Sequence, residues 1–551
     1  MTRFIVSLII VTGIFASCKK EKNTSLPTST FDYVGLTVDG LSNGFSYNNV
    51  AVNPVIKISF SADINHASVN QAVSLKDNEG NIILFSTSVD QDKKTLVILP
   101  ATALKPFTKY ILSVTNNLET QNGDKLRTSL SITLNTGIDT TDKFPVISDE
   151  ELLTLVQKQT FKYFWDFAHP VSGLARERDS SGDIVTTGGS GFGIMAIVTG
   201  IHRNFITRQE GLQRMQKIVG FLKDKADRFH GAFPHWLNGS TGKKIAFSAK
   251  DDGADLVETS LLMQGLLTAR QYFNRPDIAE AALRDDINSL WNEVEWSWFR
   301  KGNENVLYWH WSPNHQWEMN HPIKGWNEAL ITYVLAASSS THPVPKAVYD
   351  EGWASNGAIR NGNSYFGISL PLGPPNGGPL FFSHYSFLGI NPKGLTDKYA
   401  NYETQNTAHS LIHYNYAKAN PKGFFGYGEN CWGFTASDDI NGYLAHEPNN
   451  DNGVISPTAA LSSFPYTPDE SMKALKFFYY KLGDKIWKDY GFIDAFSLHH
   501  AWFSNSYLAI DQGPIIIMIE NHRSGLLWNL FMSSPEIING MKTLGFQSPY
   551  L

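Results

Sequence analysis

Cysteine is almost absent: the 551 residues contain two, Cys18 and Cys431. Two thiols so far apart supply no disulfide framework. No dense Lys/Arg block occurs and the net charge is −6, which argues against a nucleic-acid surface. Beyond the N-terminus no stretch is long and apolar enough to span a bilayer, and PIIIMI (514–519) reads as buried core. There is no HExxH, no cysteine cluster, no GxSxG elbow, no P-loop and no GxGxxG following a strand. The Gly-rich run GGSGFG (188–193) lacks the lysine and the βαβ setting of a phosphate loop. It lets backbone approach a ligand or a neighbouring helix.

Aromatic residues are plentiful, with 14 Trp, 22 Tyr and 34 Phe, many of them in Gly-rich loops. The start of the chain is a targeting segment. Arg3 precedes an apolar run from Phe4 to Phe15, and Phe15-Ala16-Ser17-Cys18 resembles a bacterial lipobox. Residues 1–18 then read as a lipoprotein signal peptide, with Cys18 lipidated as the mature N-terminus. Residues 19–30 read as a polar tether. This predicts an exported outer-membrane lipoprotein, on either face, held to the membrane only through its lipid.

Residues 31–137 read as all-β. VIKISFSADI, AVSLKDNEGNIILFSTSV, KTLVILP and KYILSVTNNL alternate in polarity and are separated by turns such as Asn78-Glu79-Gly80 and Asn122-Gly123-Asp124. An immunoglobulin-like sandwich is expected, and SFSADIN followed by LKPFTKYILSV resembles bacterial Ig-like modules. Residues 138–147 are expected to be a linker. From Ser148 the period becomes helical: Ser148 and Glu151 form a capping box ahead of LLTLVQKQTFKYFWDF. Helical stretches then recur through 148–551, separated by long aromatic loops. Periodicity alone fits an α/α toroid, an α-solenoid or an irregular bundle.

Carboxylates cluster at the mouths of apolar helices. In KDDGADLVETSLLMQGLLTA (250–269), Asp251, Asp255 and Glu258 recur at helical spacing, beside Asp252. Asp251 or Asp252 would cap the helix, but Glu258, two turns in, needs donors or water if it faces the core. Glu328 sits in the first turns of GWNEALITYVLAAS, behind a loop holding His310, Trp311, His315, His321 and Trp326. The histidine spacing matches no metal-ligand motif. In GFFGYGENCWGFTASDDINGYLAHEP (423–448), Tyr427, Trp432 and Phe434 interleave with Glu429, Asp438 and Asp439, a pattern that suits pyranose rings. In YLAIDQGPIIIMIENHRSG, Asp511 precedes the apolar run, and Glu520 and Arg523 are placed to form an ion pair.

Residues 148 to 548 resemble the bacterial glycoamylase-like family. KDDGADLVETSLLMQGLL, GWNEALITYVLAASS, FFSHYSFLGINPKGL, CWGFTASDDINGY, DNGVISPTAALSSFPYTPDES and YLAIDQGPIIIMIENHRSGLLWNLF carry the resemblance. It implies an (α/α)6 toroid behind the Ig-like sandwich and an inverting hydrolase of β-1,2-glucan, endo-acting or releasing sophorose, without cofactor or metal. Glu328 is then the expected general acid, with Asp252, Asp255, Glu258 and Asp511 as candidate bases around one mouth. Trp326, His310, Trp311, His384, Tyr385, Glu429, Trp432 and Asp438 are the expected sugar contacts. The loop Asp438-Asp439-Ile440-Asn441-Gly442 departs from the Asp-Gly-Pro common in the family. The sandwich would close one end of the cleft or space the toroid from its anchor. A non-catalytic glycan-binding lipoprotein would need aromatics more than acids, and a polysaccharide lyase would need a cleft richer in Lys and Arg.

Overall fold

The structure, a computed structural model, describes residues 31–551, so Cys18, the signal segment and the tether lie outside it. The chain divides into two units after Ile138. The first is a two-sheet sandwich. One sheet has the order β1 (Tyr33–Val38), β3 (Ile56–Phe60), β6 (Thr95–Pro100), β5 (Phe85–Val89). The other has β2 (Ser46–Val50), β8 (Leu130–Thr136), β7 (Lys109–Val114), β4 (Val73–Asp77), with β2 and β8 parallel. Alternation decides the layers: Ile56, Ile58 and Phe60 point inward between Lys57 and Ser59, and Tyr110, Leu112 and Val114 meet them from the second sheet. A short helix, α1 (His66–Ala72), is capped by Asn65 and leads into β4.

Residues 139–147 are not a free linker. The Lys143 N–H donates to the Tyr480 carbonyl at 2.7 Å, the Phe144 ring stacks on Tyr479, and the Ile147 N–H donates to the Tyr480 hydroxyl. They belong to the second unit.

That unit is the expected toroid. Its helices are α2 (Asp149–Trp165), α3 (Thr187–His202), α4 (Arg208–Asp224), α5 (Leu256–Tyr272), α6 (Ile278–Asn292), α7 (Leu330–Ser338), α8 (Tyr402–Ala419), α9 (Pro457–Leu461), α10 (Pro468–Lys476), α11 (Gly483–Ile486), α12 (Ala509–Arg523), α13 (Leu526–Met532) and α14 (Pro535–Leu544). The capping box of Ser148 and Glu151 opens α2. Helices α3, α5, α7, α9 and α12 are buried on nearly every side and form the inner ring. The remaining inner position, between α7 and α9, is held by two 3₁₀ turns, Leu380–Ser383 and Ser386–Leu388. Their carbonyls are tied to the ring by Gln264 of α5 and Asn521 of α12. Packing of α12 against α3 closes the circle, and α2, α4, α6, α8 and α10 lie outside.

Helices α3 and α5 approach at glycines. A Cβ on Gly191 would stand 2.2 Å from the Leu261 carbonyl oxygen, and one on Gly265 2.2 Å from that of Gly191. The run GGSGFG therefore serves a neighbouring helix. The pairing of Glu520 with Arg523 is not formed. Glu520, fully buried, accepts two bonds from Arg203 at 2.6 and 2.9 Å and others from Gln157 and Ser524. Arg523 donates instead to Glu150 and to the buried Gln157.

Three buried histidines, His384, His409 and His413, pack under the 3₁₀ turns, bonded to Ser463, Ser383 and the Gly378 carbonyl. Burial holds His384 down at about 3 and His409 at about 4, and pushes His413 the same way. Between the ordinary value of 6.5 and these values the unfolded chain binds more protons than the folded one. Stability therefore falls as pH falls through this window, by up to about 1.4 kcal/mol per pH unit for each ring. The raised carboxyls of Glu328 and Asp494 act in the opposite sense over the same window, so the rings are read by difference. Between pH 7 and 5 the thermal midpoint of His384→Gln should lose less than that of the wild type, and identical pH profiles would remove this ring from the account.

Candidate active site

The carboxylates at the mouth of α5 do not share one helical face. Asp251 and Asp252 lie in the preceding loop, and the two-residue strand Ala254–Asp255 pairs antiparallel with His310–Trp311. This pairing delays the helix to Leu256. Asp255, not Asp251 or Asp252, is the N-cap, accepting the N–H groups of Val257 and Glu258 at 3.0 and 2.9 Å. Glu258 falls in the first turn and accepts the Gly188 N–H at 2.7 Å and the Thr186 hydroxyl at 3.3 Å. Glu328 also lies outside its helix, in the turn just before α7, whose first residue is Leu330.

Two histidines balance this cluster. His235 Nδ1 is 2.9 Å from Asp255 Oδ2, and His310 Nδ1 is 3.2 Å from Asp251 Oδ2. Burial works against a charged His235, but Glu258, Asp255 and Asp251 outweigh it and lift the ring to about 9. Burial alone would raise Asp255; His235 and His310 hold it below the usual range. For Glu258 burial wins and the carboxyl is raised, His235 opposing and Asp255 adding. Glu328 is pushed up to about 7, chiefly by burial and further by the charges of Glu258 and Asp255. It keeps partial access to solvent through the cavity it lines.

His235, Asp251 and Asp255 could each offer an atom to a cation within 4.8 Å of one another. A histidine with a pKa near 9 already supplies the positive charge there, and a metal would have to displace its proton.

On the far side, the Asp511 carboxyl in the first turn of α12 is hydrogen-bonded to that of Asp494. Two bonded carboxyls must share a proton. Burial, then the charge of Asp438, pushes Asp494 up to about 7 and Asp511 upward as well. The Asp438 N–H donates to Asp494 at 2.7 Å, and the Asp438 carboxylate accepts Arg178 and Ser506.

Beside these groups lies a cavity of about 560 Å3, whose lining does not include Asp251, Asp255, Asp494 or Asp511. Glu258 and Glu328 line it, with Glu177, Arg178, Thr186 and His235 as the other polar groups. Trp236, Phe247, Trp309, Phe381, Tyr385 and Tyr443 form aromatic walls. Ring faces beside carboxylates are what a neutral pyranose, with its C–H face and hydroxyl rim, can use.

Of the expected sugar contacts, Tyr385 lines this cavity and Asp438 lines an adjoining one. The others do not reach it. Trp432 is core, its indole N–H bonded to the Glu470 carbonyl, and Glu429 is at the surface paired with Lys418. Trp326 packs against Phe387 and Tyr402, and His384 is enclosed beside Ser463. Trp311 lies edge-on to His230, while His310 stands behind the wall with Asp251. Among the candidate bases, Asp252 is drawn away. Burial opposes its charge, but Lys244 at 2.8 Å, Ser312 and Asn314 hold it at about 2. Asp255 is consumed by its cap and His235. Residues that sequence reasoning missed include Glu177, Arg178, His235, Trp236 and Trp309; the clusters RER (176–178), FPHW (233–236) and YWHW (308–311) were their only signal.

An inner helical ring with acids at its mouth defines an α/α toroid with an acidic, aromatic-walled cleft. The family model named Glycoamylase matches residues 320–535, and the model described as a bacterial Ig-like domain matches 34–136. The chain is similar to an endo-β-1,2-glucanase structure from Chitinophaga pinensis, with 54% identity and a TM-score of 0.72, covering 74% of this chain and 100% of that one. A β-1,2-glucanase structure from Parabacteroides distasonis matches at 40% identity and a TM-score of 0.71, covering 94% of this chain and 74% of that one. An exo β-1,2-glucooligosaccharide sophorohydrolase from the same species is 50% identical over 420 residues, which are 72% of this chain. This match spans 58% of the sophorohydrolase. The chain belongs to the glycoamylase-like family, with an Ig-like module in front.

Proposed function

We propose that the protein hydrolyses β-1,2-glucan with inversion, Glu328 acting as general acid. The observation that carries this is the pair of carboxyls, Glu328 and Glu258, in one aromatic-walled cavity with unequal surroundings. Glu258 has two hydrogen-bond donors and the His235 cation near it, all favouring its ionised form. Glu328 has only a backbone bond within its own residue against burial and two like charges. Burial raises both carboxyls, and the Gly188 and Thr186 donors with the His235 cation, all at Glu258, support placing the proton on Glu328 and the carboxylate on Glu258. Glu328 gives its proton to the glycosidic oxygen as the C–O bond breaks, and water attacks the anomeric carbon from the opposite face. Its proton goes to Glu258, directly or through a substrate hydroxyl.

A lyase on anionic uronates is disfavoured because, among the described residues, Arg178 and His235 alone are cationic in the cavity lining, against Glu177, Glu258 and Glu328. The relatives named above include both an endo-acting and an exo-acting enzyme. Incubating linear β-1,2-glucan with the protein lacking residues 1–18 decides the mode: a ladder of oligomers means endo action, sophorose alone means exo action. No product would refute the substrate. The resemblance of Phe15–Cys18 to a lipobox supports a lipid-anchored, exported enzyme, which labelling with a fatty-acid analogue and its loss in Cys18→Ala would test.

Because the acid must be protonated, kcat/KM should fall as pH rises through about 7, the value to which Glu328 is raised. A rate independent of pH between 6 and 8.5 would contradict the assignment.

A further inference from the structure

Beside the first cavity lies a second, of about 490 Å3, and Arg178 forms part of both walls. Its volume is within the range of about 300–1,000 Å3 typical of small-molecule sites. The hairpin Ala436–Asp439 and Gly442–Ala445 contributes to both cavities. Across from it, Trp502 stands on the short hairpin Phe496–Ser497 and Trp502–Phe503. Trp502 is half-buried, lines this cavity and stacks on no other ring among the described residues.

The rim is polar and incompletely used. Asp179 accepts the Tyr507 N–H through one oxygen only. The Asn505 carboxamide makes one long bond, from Lys488 at 3.4 Å to its oxygen, which leaves its NH2 group available. Asp439 is held in place by Asn452 at 2.7 Å and the Asn441 N–H. Three carboxylates, Asp179, Asp438 and Asp439, against the single Arg178 make the lining acidic overall, which rejects phosphates and uronates. An unstacked indole, set in an acidic hydroxyl-binding rim, fits an uncharged sugar.

We infer that this second cavity binds a further glucosyl unit of the chain being cleaved, with Trp502 as its platform and Arg178 at the junction between the two cavities. The inference rests on the hydrolase reading of the first cavity. The chain leaves that cavity past Arg178 and lays a C–H face on Trp502, while Asp179, Asp439 and Asn505 meet its hydroxyls. Binding so far from the bond that breaks acts on substrate affinity more than on the chemical step.

The test is kcat/KM for linear β-1,2-gluco-oligosaccharides of increasing length, in the wild type, Trp502→Ala and Asn505→Ala. The wild type should gain efficiency with length, and Trp502→Ala should lose roughly tenfold of that gain, about 1.4 kcal/mol, on the longer chains through KM. The shortest hydrolysed oligosaccharide should be cleaved at the wild-type rate, which also shows that the variant folds. Asn505→Ala should show the same length-dependent loss to a smaller degree, and decides the matter if Trp502→Ala is inactive on every length. Identical length profiles in wild type and variants would overturn this inference alone. Absence of any hydrolysis by the wild type would overturn the hydrolase reading and this inference with it.

Discussion

Glu328→Gln is expected to lower kcat on linear β-1,2-glucan by about a thousandfold, within the range usual for loss of a general acid. The amide keeps the shape of the side chain and removes the only proton the site can deliver from that position. It also removes a carboxyl that burial already disfavours as a charge, so the fold loses nothing. The thermal midpoint of the variant should therefore equal or exceed that of the wild type. A variant that unfolds early would place Glu328 in the framework of the toroid. A folded variant with wild-type kcat would remove it from the chemistry.

Gly191→Ala should destabilise the protein by about 3 kcal/mol or more, at the upper end of overpacking costs. The added carbon would meet backbone, the Leu261 carbonyl and the Leu262 Cα, and not a flexible side-chain end. Helices α3 and α5 would have to separate. Glu258 rides on α5 and is tied to the Gly188 N–H at the start of α3, so the same displacement moves a carboxylate of the site. Activity should fall in parallel with stability in chemical denaturation. Gly220, in the outer helix α4, has nothing within 4 Å of the equivalent carbon. Gly220→Ala should instead stabilise by about 0.5–1 kcal/mol. Equal effects of the two substitutions would mean that the inner ring is not close-packed.

The sandwich was legible because alternation has a period of two, as in Ile56, Ile58 and Phe60, and the inner helices because they carry continuous apolar runs such as Ile515–Ile519. The 3₁₀ turns that fill one inner position carry no helical period, so FFSHYSFLGINPKGL did not reveal its place. The acids were found as residues but misplaced as geometry. Asp251, Asp255 and Glu258 have helical spacing, yet the pairing of Ala254–Asp255 with His310–Trp311 pulls the first two off the helix. A partner so distant in sequence leaves no local mark. The aromatic walls were hardest to read. Trp432 and Trp236 both sit in Gly-containing loops, and only the packing shows that one is core and the other faces the cavity. Likewise nothing local told that Asp252 would be claimed by Lys244 or that Asp494 would share a proton with Asp511.

The most direct measurement is proton NMR of linear β-1,2-glucan during the first minutes of cleavage, with wild type and Glu328→Gln side by side. The account predicts new reducing ends that appear first as the α-anomer in the wild type and do not appear with the variant. Reducing ends that appear first as the β-anomer, or that form equally fast with Glu328→Gln, would contradict it.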